Sequence, residues 1–168
     1  MVAATALAIS LASLLISFDI WTRSFRPIVT AAVRTHEAGN IAIAYDLVLL
    51  NSGTIPARNI RITATEEALG PTFGKGASVE DKQRWLAGFN RVIPILHNNA
   101  QTSCSFGTTQ ADDAGFWKYD ATIPIVIRYE SWLGGWLSSW FGNRFKHFEE
   151  NQIIQIADSN SFTGGSWG

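Results

Sequence analysis

The chain opens on a run of apolar and small residues, Met1 to Phe18, that contains no charged side chain. Directly behind it stands Asp19-Ile20-Trp21-Thr22-Arg23-Ser24-Phe25-Arg26-Pro27, a basic and aromatic stop. As a helix, the run through Trp21 reaches roughly 30 Å, the thickness of a bilayer's hydrocarbon core. A cleavable signal peptide would carry Lys or Arg ahead of its apolar stretch and a small-residue cleavage site behind it; here the Arg residues come after. The pattern predicts a retained N-terminal transmembrane helix with a juxtamembrane stop, residues 1–26. On a helical wheel Ala3, Ala6, Ser10, Ser13 and Ser17 share one stripe, and Leu7, Leu11, Leu14, Leu15 and Phe18 share another. Small residues let helix backbones approach in lipid, so the first stripe, with Trp21 at the membrane boundary, is a candidate contact for partner helices.

Beyond Pro27 the period shifts from helical to alternating. Strands are predicted over Ile28 to Thr35, Ile41 to Leu50, Ala57 to Thr65, Arg91 to Leu96, Thr102 to Phe106, Ala121 to Tyr129 and Gln152 to Ala157. Glu37-Ala38-Gly39-Asn40 and Asn51-Ser52-Gly53-Thr54-Ile55-Pro56 supply the turn chemistry between the first of them. Roughly seven short strands in about 130 residues fit one β-sandwich, large enough to bury a core without metal or disulfides. The fold class expected is mainly β: a transmembrane helix, then an immunoglobulin-like β-sandwich over residues 27–158 with short helical insertions, then a Gly/Ser-rich tail over 159–168.

The passage Leu49-Leu50-Asn51-Ser52-Gly53-Thr54-Ile55-Pro56-Ala57-Arg58-Asn59-Ile60-Arg61-Ile62 resembles the Asn-x-Gly…Pro-Ala-x-Asn-hydrophobic stretch of bacterial single-span membrane proteins with an immunoglobulin-like β-domain. The resemblance extends loosely over Pro27 to Ala64 and again over Ile123 to Ile156. It implies architecture and little chemistry.

Two insertions depart from that pattern. In residues 66–90, Ser78-Val79-Glu80-Asp81 reads as a capping box with Asp in the usual Glu place, starting a helix from Val79 to Phe89 with Trp85, Leu86 and Phe89 on one side. Gly70-Pro71-Thr72-Phe73-Gly74-Lys75-Gly76 superficially looks like a phosphate loop, but its spacing is wrong and no Ser or Thr follows Lys75. In residues 131–146, Trp132, Trp136 and Trp140 recur every four positions and combine with Leu133, Leu137 and Phe141 into one large aromatic face. Gly134, Gly135, Ser138, Ser139 and Gly142 fill the opposite side. Such a face suits a membrane interface or a partner protein; the alternative is that the indoles cap the sandwich core.

Charge then sets the expected topology. Arg23, Arg26 and Arg34 follow the span and no charged side chain precedes it, so the positive-inside rule places the N-terminus outside and the β-domain in the cytoplasm, at the inner membrane. The lone Cys104 agrees, being unable to form an internal disulfide, and is expected to be buried or inert. Thirteen Lys plus Arg against fourteen Asp plus Glu leave no basic field for nucleic acid. His36, His97 and His147 lack ligand spacing, and the adjacent pairs Asp112-Asp113 and Glu149-Glu150 make no acid/base dyad. No histidine lies in the span to hold haem or pigment. Catalytic, metal and cofactor sites are thus not expected. The leading expectation is a non-catalytic accessory subunit that stabilises a complex of membrane-protein subunits, touching them and the lipid bilayer. On the general look of the chain, a photosynthetic reaction-centre and light-harvesting supercomplex is the first such assembly to come to mind. The alternative is a stand-alone membrane-tethered module binding a small ligand or a signalling partner.

Overall fold

The computed structural model of the chain describes residues 2–89, 91–131 and 146–156. Val2–Ser24 form α1, a helix of 23 residues, about 34 Å long. Exposed apolar side chains stand on both sides of its serine stripe: Leu7, Leu11, Leu14, Leu15 and Phe18 on one, Ile9, Ile16 and Ile20 on the other. The Ser10 hydroxyl donates to the Ala6 carbonyl and Ser24 to Ile20, each at 2.9 Å, so these polar tips are satisfied within the helix. Among the described residues, which in α1 leave out the side chains at 2–4, 8, 19 and 21–23, no helix is long and apolar enough to cross a membrane. The expected transmembrane span is therefore not part of the observed architecture. What is observed is a long helix with exposed apolar side chains among the described residues.

Each predicted strand has a counterpart: β1 (Val29–Ala38), β2 (Ala42–Asn51), β3 (Ala57–Thr63), β4 (Ile93–Leu96), β5 (Gln101–Gln110), β6 (Thr122–Ser131) and β7 (Lys146–Gln155). They form two antiparallel sheets, β1-β2-β5 and β4-β3-β6-β7. β6 shows why alternation is a reliable signal. Ile123, Ile125, Ile127 and Tyr129 point inward and are buried, while the residues between them face outward. Tyr45, Leu47 and Leu49 of β2 and Ile60 and Ile62 of β3 complete a core shared by the two sheets. β3 keeps both Ala57 and Ile60 buried because Asn59, at φ 49°, forms a bulge where the β3–β6 register shifts. Its side chain donates to Glu130 at 2.8 Å.

β1, β5, β6 and β7 run longer than the hydrophobic pattern indicated, and β3 and β4 shorter; β7 begins six residues before the predicted start at Gln152. Its first half has one half-buried ring, Phe148 stacked on Tyr129 with centroids 5.3 Å apart, beside cross-strand charge pairs. Arg128 Nε donates to Glu149 at 2.7 Å, and His147 stands 3.6 Å from Glu130.

The edges of the two sheets meet differently. On one side Gln152 of β7 reaches across to the edge strand β1: its amide accepts from Ala31 N at 2.9 Å and donates to Val29 O at 3.1 Å. One side chain there imitates a neighbouring strand. On the other side the four-residue β4 faces the ten-residue β5, and the inner faces stay apart.

The insertion after β3 roofs that open side. It holds α2 (Glu66–Leu69), a single 3-10 turn, and α3 (Val79–Phe89), with the predicted boundaries. Ser78 caps α3: its Oγ accepts from Asp81 N at 3.1 Å and donates to the Asp81 carboxylate at 2.6 Å. Asp is one methylene shorter than Glu and meets the hydroxyl where Glu would reach back to the backbone. The loop before α3 is a backbone zipper, not a phosphate cradle. Gly74 N, Lys75 N and Gly76 N donate to Phe116 O, Asp113 O and Gly115 O, and a Cβ on Gly74 would lie 2.2 Å from Gly115 O. Beneath α3 the fully buried Trp117 stacks between Phe73 and Phe106, centroids at 5.2 and 5.0 Å, with Trp85 and Phe116 edge-on. Its indole N–H donates to Phe106 O.

Candidate functional site: the helix junction and the open-edge cleft

Two places bring together residues that the sequence keeps apart. The first is the junction of α1 with the sandwich. After Ser24 the backbone runs beside the turn that follows β2. Ser52 N donates to Ile28 O at 2.9 Å, Thr54 N to Arg26 O at 3.2 Å, and the Thr54 hydroxyl to Ser24 O at 3.2 Å. Gly53 permits this approach, since a Cβ there would lie 2.3 Å from Arg26 O and 2.5 Å from Ile28 N. Asn51, fully buried, organises the crossing: Oδ1 accepts from Ile28 N and Gly53 N, and Nδ2 donates to Ile55 O and Leu96 O. Its amide is completely satisfied, and it joins β1, the turn and β4 at one point. Tyr129, also buried, donates to Pro27 O at 3.3 Å. Asn51, Gly53 and Asn59, the residues on which the family resemblance rests, thus do structural work as crossing point, close approach and bulge.

The second place is a cleft of about 410 Å³ at the open side, between β5 and the β3–β4 pair and under α3. Leu47, Leu49, Ile62, Trp85 and Ile93 give it apolar walls, and Arg84 and Arg91 contribute charge. Cys104 lines it as well and is exposed, which corrects the expectation of a buried thiol. The physical reason is the shortness of β4, which leaves the inner face of β5 without a facing strand. Desolvation against the cleft wall, with the Asp46 carboxylate adding to it, raises the thiol's pKa. Alkylation of Cys104 by iodoacetamide should therefore show a pH–rate profile displaced to the alkaline side of free cysteine, and unfolding in urea should move it back; a native profile matching the unfolded one would refute this.

Of the interface residues predicted from sequence, Ala6, Ser10, Ser13 and Ser17 are exposed on α1. The side chains of Ala3 and Trp21 lie outside the described residues, as do Trp132, Leu133, Trp136, Leu137, Trp140 and Phe141 altogether. The stems of that insertion are described, and strand register locates them. Ser131 pairs with Lys146, Glu130 with Arg58, Ala57 with Leu96, and Val29 with Asn51, all at the end of the sandwich where α1 joins.

Among the described residues no cluster of three metal-ligating side chains occurs. His36 is hydrogen-bonded to Asp46 at 2.9 Å, far from Glu130 and its neighbour His147. Glu149 bonds Arg128, whereas Glu150 lies 3.3 Å from the Tyr129 hydroxyl, so the adjacent carboxylates serve different partners. Asp112 and Asp113 both take left-handed backbone conformations in a loop. Sequence reasoning missed the cleft and the Trp117 cluster; the Gly115-Phe116-Trp117 loop, aromatic next to glycine, was the available signal for the latter.

A fold that places an exposed apolar helix on a two-sheet β-domain defines the class of protein. The model of a family described as a domain of unknown function (DUF8453) matches residues 1–157, and the chain belongs to that family. The match runs through α1 and the β-domain without a break, so the two are one family unit. No curated protein and no solved structure matches the chain.

Proposed function

We propose that the protein is a membrane-anchored, non-catalytic accessory subunit, with α1 as the anchor and the β-domain as a rigid clamp on neighbouring membrane-protein subunits. The observation that carries this reading is the junction. A flexible tether would leave the domain free to search for ligands; here backbone hydrogen bonds from Ser52 and Thr54 fix the exit of the helix against the domain. Exposed apolar side chains on both sides of the small stripe of α1 suit a membrane, and among the described residues α1 packs into no core. The uncharged sequence from Val2 to Phe18 supports the membrane as well. Arg23, Arg26 and Arg34 favour a cytoplasmic β-domain. The three-plus-four strand order supports an immunoglobulin-like sandwich as the finer description. With Ser131 and Lys146 at the α1 end, the Trp132, Trp136 and Trp140 insertion starts on the side that would face the bilayer and the partners. No described residue favours a pigment-bearing assembly over another, so the partners are proposed only as a class.

Purification of the tagged chain from its native membranes in mild detergent tests this. A clamp should carry other membrane proteins at fixed stoichiometry, and Ser10→Leu with Ser13→Leu should release them while the chain stays in the membrane fraction, because bulk on the small stripe separates the helix backbones. A chain that runs alone would instead favour the tethered module, and a chain washed out at alkaline pH would remove the anchor from the proposal.

A further inference from the structure

The cleft beside β5 follows from a mismatch in the fold. Gln152 closes one side of the sandwich, whereas on the other side four residues of β4 cannot cover ten of β5. α3 spans the opening without filling it. At Gly88, which lines the cleft, a Cβ would meet nothing within 4 Å. The resulting volume of about 410 Å³ falls in the range of small-molecule sites, which are concave, mainly apolar, and fitted with a few polar groups that orient the ligand.

Those polar groups are cationic. Arg84 has one carboxylate nearby, Asp81 at 4.0 Å, and that carboxylate already accepts from the Ser78 hydroxyl at 2.6 Å. Arg91 has no ion-pair partner among the described residues. Both guanidiniums stand at the solvent side of walls made by Leu47, Leu49, Ile62 and Trp85. An apolar body with a cationic rim is complementary to an amphiphile that has one anionic end, and a guanidinium fork fits a carboxylate in particular.

We propose that this cleft binds an apolar monocarboxylic acid, with the hydrocarbon against Leu47, Leu49, Ile62 and Trp85 and the carboxylate at the rim with Arg84 and Arg91. The site is independent of the clamp reading and would serve a subunit or a solitary receptor equally.

Cys104, the only cysteine in the chain, lines the cleft and reports its occupancy. The full-length protein in phosphatidylcholine nanodiscs is labelled with a maleimide at pH 8 in the presence of decanoate, decanol or acetate. Decanoate should slow labelling at least tenfold at saturation, while decanol, without the anion, and acetate, without the chain, protect far less. Arg84→Gln with Arg91→Gln should raise the decanoate concentration for half-protection about tenfold, and the double Lys variant should recover part of the loss. Gly88→Leu, which suits a helix better than Gly, should fill the cleft and make labelling insensitive to decanoate. Labelling of the wild type that ignores decanoate overturns the proposal. So does equal protection by decanol, or by decanoate in the double Gln variant, since each would reduce the cleft to an unselective greasy surface. Circular dichroism of every variant confirms that it is folded, and if Gly88→Leu is not, the arginine variants decide alone.

Discussion

Trp117→Ala should destabilise the β-domain by about 3–5 kcal/mol, the usual cost of truncating a buried aromatic side chain. The indole is fully buried and touches every other ring of its cluster, so its loss opens a cavity that Phe73, Phe106, Phe116 and Trp85 cannot all collapse into. It also leaves the Phe106 carbonyl without its donor. A domain whose whole stability is on the order of 5–15 kcal/mol would lose much of its margin. Trp117→Phe separates the two contributions: it keeps a ring in the stack but not the N–H, and should cost less. Urea unfolding followed by circular dichroism measures both. A midpoint unchanged in Trp117→Ala would mean that the cluster is not the keystone of the α3 insertion.

Asn51→Leu should be comparably severe for a different reason. Leu is close to Asn in shape but strands the buried Gly53 N–H and Leu96 carbonyl and the half-buried Ile28 N–H and Ile55 carbonyl. At about 1–3 kcal/mol for each buried group left unpaired, with partial relief from relaxation, the loss is on the order of 4 kcal/mol. Asn51→Asp adds a pH dependence whose sign can be stated in advance. An ionised carboxylate accepts from both N–H groups but faces the Ile55 and Leu96 carbonyls with no proton to give. Burial and those carbonyls raise its folded pKa above the unfolded value, so stability is retained at low pH and lost as pH rises through the folded pKa. Thermal melts of this variant from pH 4 to 8, each read relative to the wild type at the same pH, should therefore fall with pH. A flat profile would show that the amide is not doing both jobs.

The parts of the fold that the sequence announces are those where a single physical effect controls each position. β6 alternates without exception because each residue faces either core or solvent, and α3 begins where predicted because Ser78 supplies a side-chain cap. The first half of β7 was illegible because Phe148 is its one core-packed side chain, set among cross-strand charge pairs, and a single apolar position leaves no period in one strand read alone. The Asn51-Ser52-Gly53 motif was visible as letters, but its role depends on Arg26 and Ile28, which only the folded chain brings beside it. The cleft was hidden for a related reason. Leu47, Ile62 and Arg84 belong to three elements, and nothing local signals that β4 is too short to cover β5.

The hydrogen-bonded junction also makes the sandwich a lever. β2 has ten residues, about 33 Å at 3.3 Å per residue, and its ladder with β1 runs from the junction at Val29 and Asn51 to the far turn at Gly39. The hydrogen bonds of Thr54 to Ser24 O and Arg26 O couple the end of α1 to the domain, so a rotation of the helix axis carries the domain with it. A rotation of about 20° would swing the far turn by about 11 Å. Small adjustments in how the helix packs would then arrive at the opposite end of the domain as displacements of molecular size.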